Sequence, residues 1–323
     1  MASMTPGALA AGERQEQVTR AGRPGALMAW ALAVRPRTLT IAVAPVLVGT
    51  ALAFAETGRF DALPMAAALL VAVLIQGGTN LQNDVGDSRR GADGADRIGP
   101  PRATSAGWLA AAQVERAARL VFGLALVLGA YLVWRGGWPI LLAGIASIAA
   151  GMAYTSGRRP IAYTGLGEVF VLTFFGLVAV SGSYHLQAAS IGWSAIVTGA
   201  MVGMLAAAVL AVNNYRDIDS DWRAGKHTLA ACLGGRFARA EYGVLLLVPF
   251  MLLPAVGSLA GIGPIVAVPL VTLPWAVRLT WLIYRRPPGR WLNGLLAETA
   301  LLELAFAGSL SASFALLPVI VQR

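Results

Sequence analysis

The chain has 323 residues, of which 57% are hydrophobic and only 13% charged, with a mean hydropathy of +0.67; soluble domains carry about 25% charged residues, so a water-soluble fold is excluded. Its 25 Lys and Arg against 16 Asp and Glu give a net charge of +9, but the basic residues fall in alternate loops, which marks membrane topology and attraction to anionic lipid rather than nucleic-acid binding. The single cysteine, Cys232, excludes an internal disulfide framework and a zinc site built from paired cysteines.

In chain order, residues 1–25 are rich in Ala and Gly with scattered arginines and no apolar core, and read as a mobile tail rather than a secretory signal. Ala26 to Val34 reads as an amphipathic lead-in at the interface, followed by Arg35-Pro36-Arg37. Nine apolar runs of spanning length follow. They cover about 38–55, 63 into the polar cluster at 80–87, 120–134 after an interfacial opening, 139–154, 167–184, 191–214, 240–258, 262–284 and 295–318. Lipid offers the backbone no hydrogen bonds, so these must be helices. The expected fold is an all-α polytopic bundle of about nine transmembrane helices around a central cavity. It forms one membrane-embedded domain over 26–323, a weak parallel repeat of 26–157 and 158–284 with a final helix at 295–318. With the N-terminus inside, the inner loops collect nearly all the arginines, which predicts a bacterial-type inner membrane with the acidic motifs on the cytoplasmic side. Gly199 and Gly203 have the small-xxx-small spacing that lets two helices approach closely.

Two of these runs end abnormally. The second closes in Asn80-Leu-Gln-Asn-Asp84-Val-Gly-Asp87, and the sixth in Asn213-Asn-Tyr-Arg-Asp217-Ile-Asp-Ser-Asp221. Each puts Asn, Asp, Asp down one helical face. Carboxylates at a helix C-terminus oppose the macrodipole, so capping does not explain them. Asp84, Asp87, Asp217 and Asp221 suit Mg²⁺, which joins a few carboxylates to phosphate oxygens, and His and Cys are too few for a softer metal. Arg90, Arg102, Arg216, Arg223 and Lys226 could clamp a diphosphate, with Asn80 and Asn213 beside it, and Arg35 reads either as a substrate-binding group or as an anchor of the first helix. A charged rim above apolar helices suits a prenyl diphosphate whose carbon–oxygen bond ionises and whose allylic carbon is trapped by an electron-rich acceptor.

The residues resemble a known family. Arg35-Pro-Arg-Thr-Leu, Thr79-Asn-Leu-Gln-Asn-Asp84, Gly99-Pro-Pro-Arg102, Tyr154-Thr-Ser-Gly157, Gly165-Leu-Gly-Glu168 and Asn213-Asn-Tyr-Arg-Asp217-Ile-Asp-Ser-Asp221 are similar to motifs of the UbiA-type intramembrane prenyltransferases. The likeness is greatest to the branch acting on 1,4-dihydroxy-2-naphthoate. It implies Mg²⁺ as cofactor and transfer of a polyprenyl group with loss of diphosphate and CO₂, giving demethylmenaquinone. It also implies that Tyr154 faces the reacting carbons; the other reading is an interfacial belt tyrosine. Val85-Gly86 stand where many relatives carry an aromatic residue, a change that removes no ligand. Glu168 reads as a helix cap or an acceptor-orienting group, and His227, Asp93, Asp96 and Asp219 as loop residues. Other aromatic acceptors (4-hydroxybenzoate, homogentisate, chlorophyllide, haem) remain open, as does a secondary transporter.

Overall fold

The computed structural model describes residues 24–92 and 97–321, with side chains to residue 316. The expected tail therefore lies almost wholly outside the described residues, as do Asp93 and Asp96. The described chain is helical: α1 (Ala26–Val34), α2 (Thr40–Thr57), α3 (Ala62–Arg89), α4 (Ala111–Gly136), α5 (Trp138–Thr155), α6 (Gly167–Ala188), α7 (Trp193–Arg216), α8 (Ile218–Arg223), α9 (Leu229–Leu259), α10 (Gly263–Arg285) and α11 (Leu292–Val321). Among the described residues nine of these are long and apolar enough to cross a membrane, all but α1 and α8.

The expected lead-in is α1, which tucks Ala29 and Ala33 against Leu81 and Val85 of α3. Helix α3 continues without a break through the polar cluster to Arg89. The third run and its polar opening form one helix, α4, from Ala111, and Arg89 of α3 pairs with its Glu115 at 2.7 Å. The seventh begins at Leu229 rather than near 240, with the Thr228 hydroxyl accepting the Ala231 N–H, and it bends at Gly234, whose φ of 80° suits glycine. The eighth opens as a ten-residue 3₁₀ run, Gly263–Thr272, before turning α-helical. Pro269, inside the run, withholds a backbone donor and its ring opposes a regular α turn there.

Helix α7 is the axis of the bundle, with 72% of its apolar window buried. Its Met201, Val202 and Leu205 lie in the main core with Val48 and Leu52 of α2, Leu246 of α9 and Phe306 of α11. Against α6 it packs backbone to backbone. A Cβ placed on Gly203 would stand 2.5 Å from the Leu172 carbonyl oxygen, and one on Gly176 would stand 2.3 Å from the Gly199 oxygen. The small-residue spacing read in the sequence is thus the α6–α7 crossing. Here α6 loosens into a π segment, Leu172–Val178, and Phe174 and Phe175 within it face the cavity described next.

Candidate active site

The polar C-terminal ends of α3 and α7 open into one cavity of about 550 Å³. Its wall at that end carries Arg35, Asn83, Asp87, Arg102, Asn213 and Lys226, and the wall then continues as apolar surface from α4, α5 and α6, including Val133, Ile145, Ile148 and Phe174. Tyr154 stands where the two zones meet, its ring 6.3 Å from that of Phe170, which stacks in turn on Phe174 at 4.6 Å.

On α3 the acidic stripe divides its work. Asp87 lines the cavity, accepts the Tyr163 hydroxyl at 3.2 Å and lies 3.9 Å from the Arg102 guanidinium. Asp84 is turned aside: its two oxygens accept the backbone N–H groups of Ala103 and Thr104 at 3.1 and 2.9 Å, which ties down the loop before α4. Asn80 borders the cavity but donates its amide to the Val34 carbonyl and the Thr38 hydroxyl, fixing the α1–α2 turn. On the other flank of the stripe Asn83, which the sequence reading passed over, lines the cavity and accepts the Thr155 hydroxyl at 2.9 Å. The available signal was symmetry, because Asn83-x₃-Asp87 has the spacing of Asn213-x₃-Asp217. Gly86 explains its own identity: a Cβ would stand 2.9 Å from Thr155, so an aromatic side chain has no room there.

At the end of α7, Arg216 is buried and its guanidinium donates to both Asp217 oxygens, to Asn213 Oδ1 and to Asn293 Oδ1. Arg216 is thus a counter-charge to the second acidic motif. Asp221 lies 3.6 Å from Lys226, and its second carboxylate oxygen is buried without a hydrogen-bond partner. Arg90 is drawn to the α5–α6 loop by the Thr155 and Gly157 carbonyls at 2.7 and 2.5 Å, and Arg223 is exposed away from the cavity. Glu168 accepts the Asn214 amide at 2.7 Å, which pins α6 to α7.

The charges at this end act on one another. Burial pushes Asp221 up to about 6, Lys226 opposes the shift, and Asp217 and Asp87 add to it. Burial pulls the Lys226 ammonium down, but Asp87, Asp221 and Asp217 more than offset that and hold it above its ordinary range. Asp87 lines the cavity, whereas Asp217 and Asp221 are not in its wall and both Asp217 oxygens are engaged by Arg216. The orphaned Asp221 oxygen and the Asp87 carboxylate are hard oxygen donors of the kind that suits Mg²⁺. Among the described residues no three acidic or histidine side chains already converge on one ion position. Mg²⁺ tolerates that, since it is completed by water and by substrate phosphate oxygens.

Among the described residues the chain is a helical membrane bundle whose cavity has a charged end, with Arg35, Asp87, Arg102 and Lys226, and apolar walls beyond it. That architecture suits an intramembrane enzyme acting on an amphiphile, and sequence comparison specifies the class. Residues 42–297 match the UbiA prenyltransferase family. The chain is 42% identical over 225 residues to the 1,4-dihydroxy-2-naphthoate octaprenyltransferase of Escherichia coli, covering 68% of this chain and 73% of that one. It is 35% identical over 291 residues to the enzyme of the same name from Mycobacterium tuberculosis, covering 88% and 96%. The fold matches a UbiA homolog from Archaeoglobus fulgidus bound to DMAPP and Mg²⁺ with a TM-score of 0.63 and 17% identity, over 90% of this chain and 99% of that one. The chain belongs to the UbiA prenyltransferase family, and it is a membrane enzyme that transfers prenyl groups, not a transporter.

Proposed function

We propose that this enzyme moves a polyprenyl group from a prenyl diphosphate to 1,4-dihydroxy-2-naphthoate, with loss of diphosphate and CO₂, as a Mg²⁺-dependent step of menaquinone synthesis at the cytoplasmic face of a bacterial-type inner membrane. The observation that carries the donor half is the continuity of the cavity: Asn83, Asp87, Asn213 and Lys226 at one end and the apolar surfaces of α4 to α6 beyond them. A molecule with a diphosphate head and a hydrocarbon tail matches both zones at once. The acceptor assignment is supported by the E. coli and M. tuberculosis relatives, both named for naphthoate prenylation.

Asp87, Asp217 and Asp221 would hold Mg²⁺, which when bound supplies charge neutralisation for the departing diphosphate. Lys226, with three N–H donors, binds a terminal phosphate, and Arg102 lies beside Asp87 to take a second oxygen. The donor carbon–oxygen bond breaks with its electron pair leaving on diphosphate. The phenolic ring supplies the pair for the new carbon–carbon bond, and CO₂ departs from the ring. Tyr154 and Phe170 present π faces and a hydroxyl at the boundary where the allylic carbon becomes electron-poor. The apolar wall excludes water, which would otherwise capture that carbon.

Purified protein incubated with Mg²⁺, radiolabelled prenyl diphosphate and a panel of aromatic acceptors tests this reading. Label is expected in dihydroxynaphthoate, with release of CO₂. Label in 4-hydroxybenzoate and none in the naphthoate would overturn the acceptor and leave the donor half standing.

A further inference from the structure

Tyr163 occupies a 3₁₀ turn, Ile161–Tyr163, in the loop between α5 and α6, outside both acidic motifs. Four contacts converge on it. Its hydroxyl donates to Asp87 Oδ1 at 3.2 Å, and its carbonyl accepts the His227 N–H at 3.2 Å. The Arg90 guanidinium lies 5.2 Å from its ring centroid and the Lys226 ammonium 5.9 Å. Arg90 belongs to the end of α3, whereas Lys226 and His227 follow the acidic motif of α7. One residue therefore ties the end of α3 to the segment that follows the acidic motif of α7.

We propose that Tyr163 is a positioning residue, which sets Asp87 and Lys226 in register to receive a divalent cation and the diphosphate it carries. The inference rests on the prenyl-diphosphate reading above. Its chemistry suits the task. A neutral hydroxyl fixes one oxygen of Asp87 without cancelling its charge, so the carboxylate keeps its attraction for a cation. Contact with a ring face holds Lys226 by its charge without using an N–H donor, so that besides the one facing Asp221 its donors remain for phosphate oxygens. An acidic or basic residue in the same place would neutralise or repel one of the two groups it serves.

The test measures binding as well as turnover. Mn²⁺ binding is followed by electron paramagnetic resonance in the detergent-purified full chain, with a non-cleavable thiolo-diphosphate analogue of the donor present. Tyr163→Phe keeps the ring and loses the hydroxyl. It is expected to weaken Mn²⁺ about tenfold, the worth of a hydrogen bond to a charged group, while the donor KM at saturating metal stays within about twofold. Tyr163→Leu removes the ring as well and is expected to raise the donor KM roughly threefold to fivefold on top of the metal defect. Should Tyr163→Leu not fold, Tyr163→Phe decides alone. Wild-type Mn²⁺ affinity in Tyr163→Phe overturns the proposal, as does a lowered melting temperature with unaltered metal binding. Failure of the wild-type protein to bind Mn²⁺ with the analogue would instead bring down the donor reading, and this inference with it.

Discussion

Arg216 folds back on the residue that follows it, donating Nε to one carboxylate oxygen of Asp217 at 2.8 Å and an Nη to the other at 2.6 Å. Both residues are 4% exposed. The second acidic motif thus carries its own neutraliser, which makes a buried carboxylate tolerable.

Removing that neutraliser exposes the arrangement. Arg216→Gln leaves Asp217 buried without its guanidinium, an expected loss of about 3–5 kcal/mol. Thermal unfolding in detergent reads it out. Added Mg²⁺ should restore more stability to Arg216→Gln than to the wild type, because the ion takes over the missing charge; equal stabilisation of the two would count against Asp217 as a ligand.

Asp84 and Asp87 should separate cleanly. Asp87→Asn is expected to cut kcat at least about 100-fold with an unchanged melting temperature, as fits a group acting on transition-state charge. Asp84→Ala releases the Ala103 and Thr104 N–H groups, and is expected to cost about 1–3 kcal/mol of stability. Its metal affinity should fall less than that of Asp87→Asn. The reverse order in a Mg²⁺ titration would return Asp84 to the cation site.

The Asp221 carboxyl, held near 6 against an ordinary 3.8, gives a pH signature. Because the folded protein binds this proton more tightly than the unfolded chain, the group lowers stability as pH rises from about 4 to about 6 and contributes no slope above, a span of up to about 3 kcal/mol. Cation binding runs the other way, since the proton must leave first. Apparent Mg²⁺ affinity is expected to fall as pH drops through 6, and Asp221→Asn to abolish that step. A profile flat between pH 5 and 8 in the wild type would exclude it.

The α6–α7 crossing has no slack. Gly203→Val drives a side chain into the Leu172 carbonyl, 2.5 Å from where its Cβ must sit, and is expected to abolish recovery of folded protein from membranes. Gly123→Ala, on α4 where a Cβ meets nothing within 4 Å, is the matched control and should be recovered at wild-type yield.

Lys226→Gln should raise the prenyl-diphosphate KM about tenfold or more, from about 1.5–3 kcal/mol for a charged phosphate contact, with a smaller change in kcat. Steady-state kinetics with the donor varied at saturating Mg²⁺ measures it; an unchanged KM would remove Lys226 from the diphosphate site.

Sequence by itself determined the number and approximate limits of the spans, and the presence of a polar, acidic terminus on the second and sixth. Those features are local: hydropathy over about 20 residues reports the membrane, and helical periodicity reports a shared face. It misplaced the opening of α9, read near Ala240 and found at Leu229, because its first turns are interrupted at Gly234 and followed by charged residues. Helical phase narrows the polar stripe of α3 to Asn80, Asn83, Asp84 and Asp87 but cannot choose among them, since neighbours on one face differ by less than the width of the face. The choice is made by what packs alongside: the 103–104 backbone draws Asp84 away, the α1–α2 turn takes the Asn80 amide, and Asn83 and Asp87 are left facing the cavity. Only the tertiary structure could bring Tyr163 from a loop to the hinge of both motifs, or fold Arg216 onto Asp217, because these contacts depend on separations and rotamers that no periodic pattern encodes.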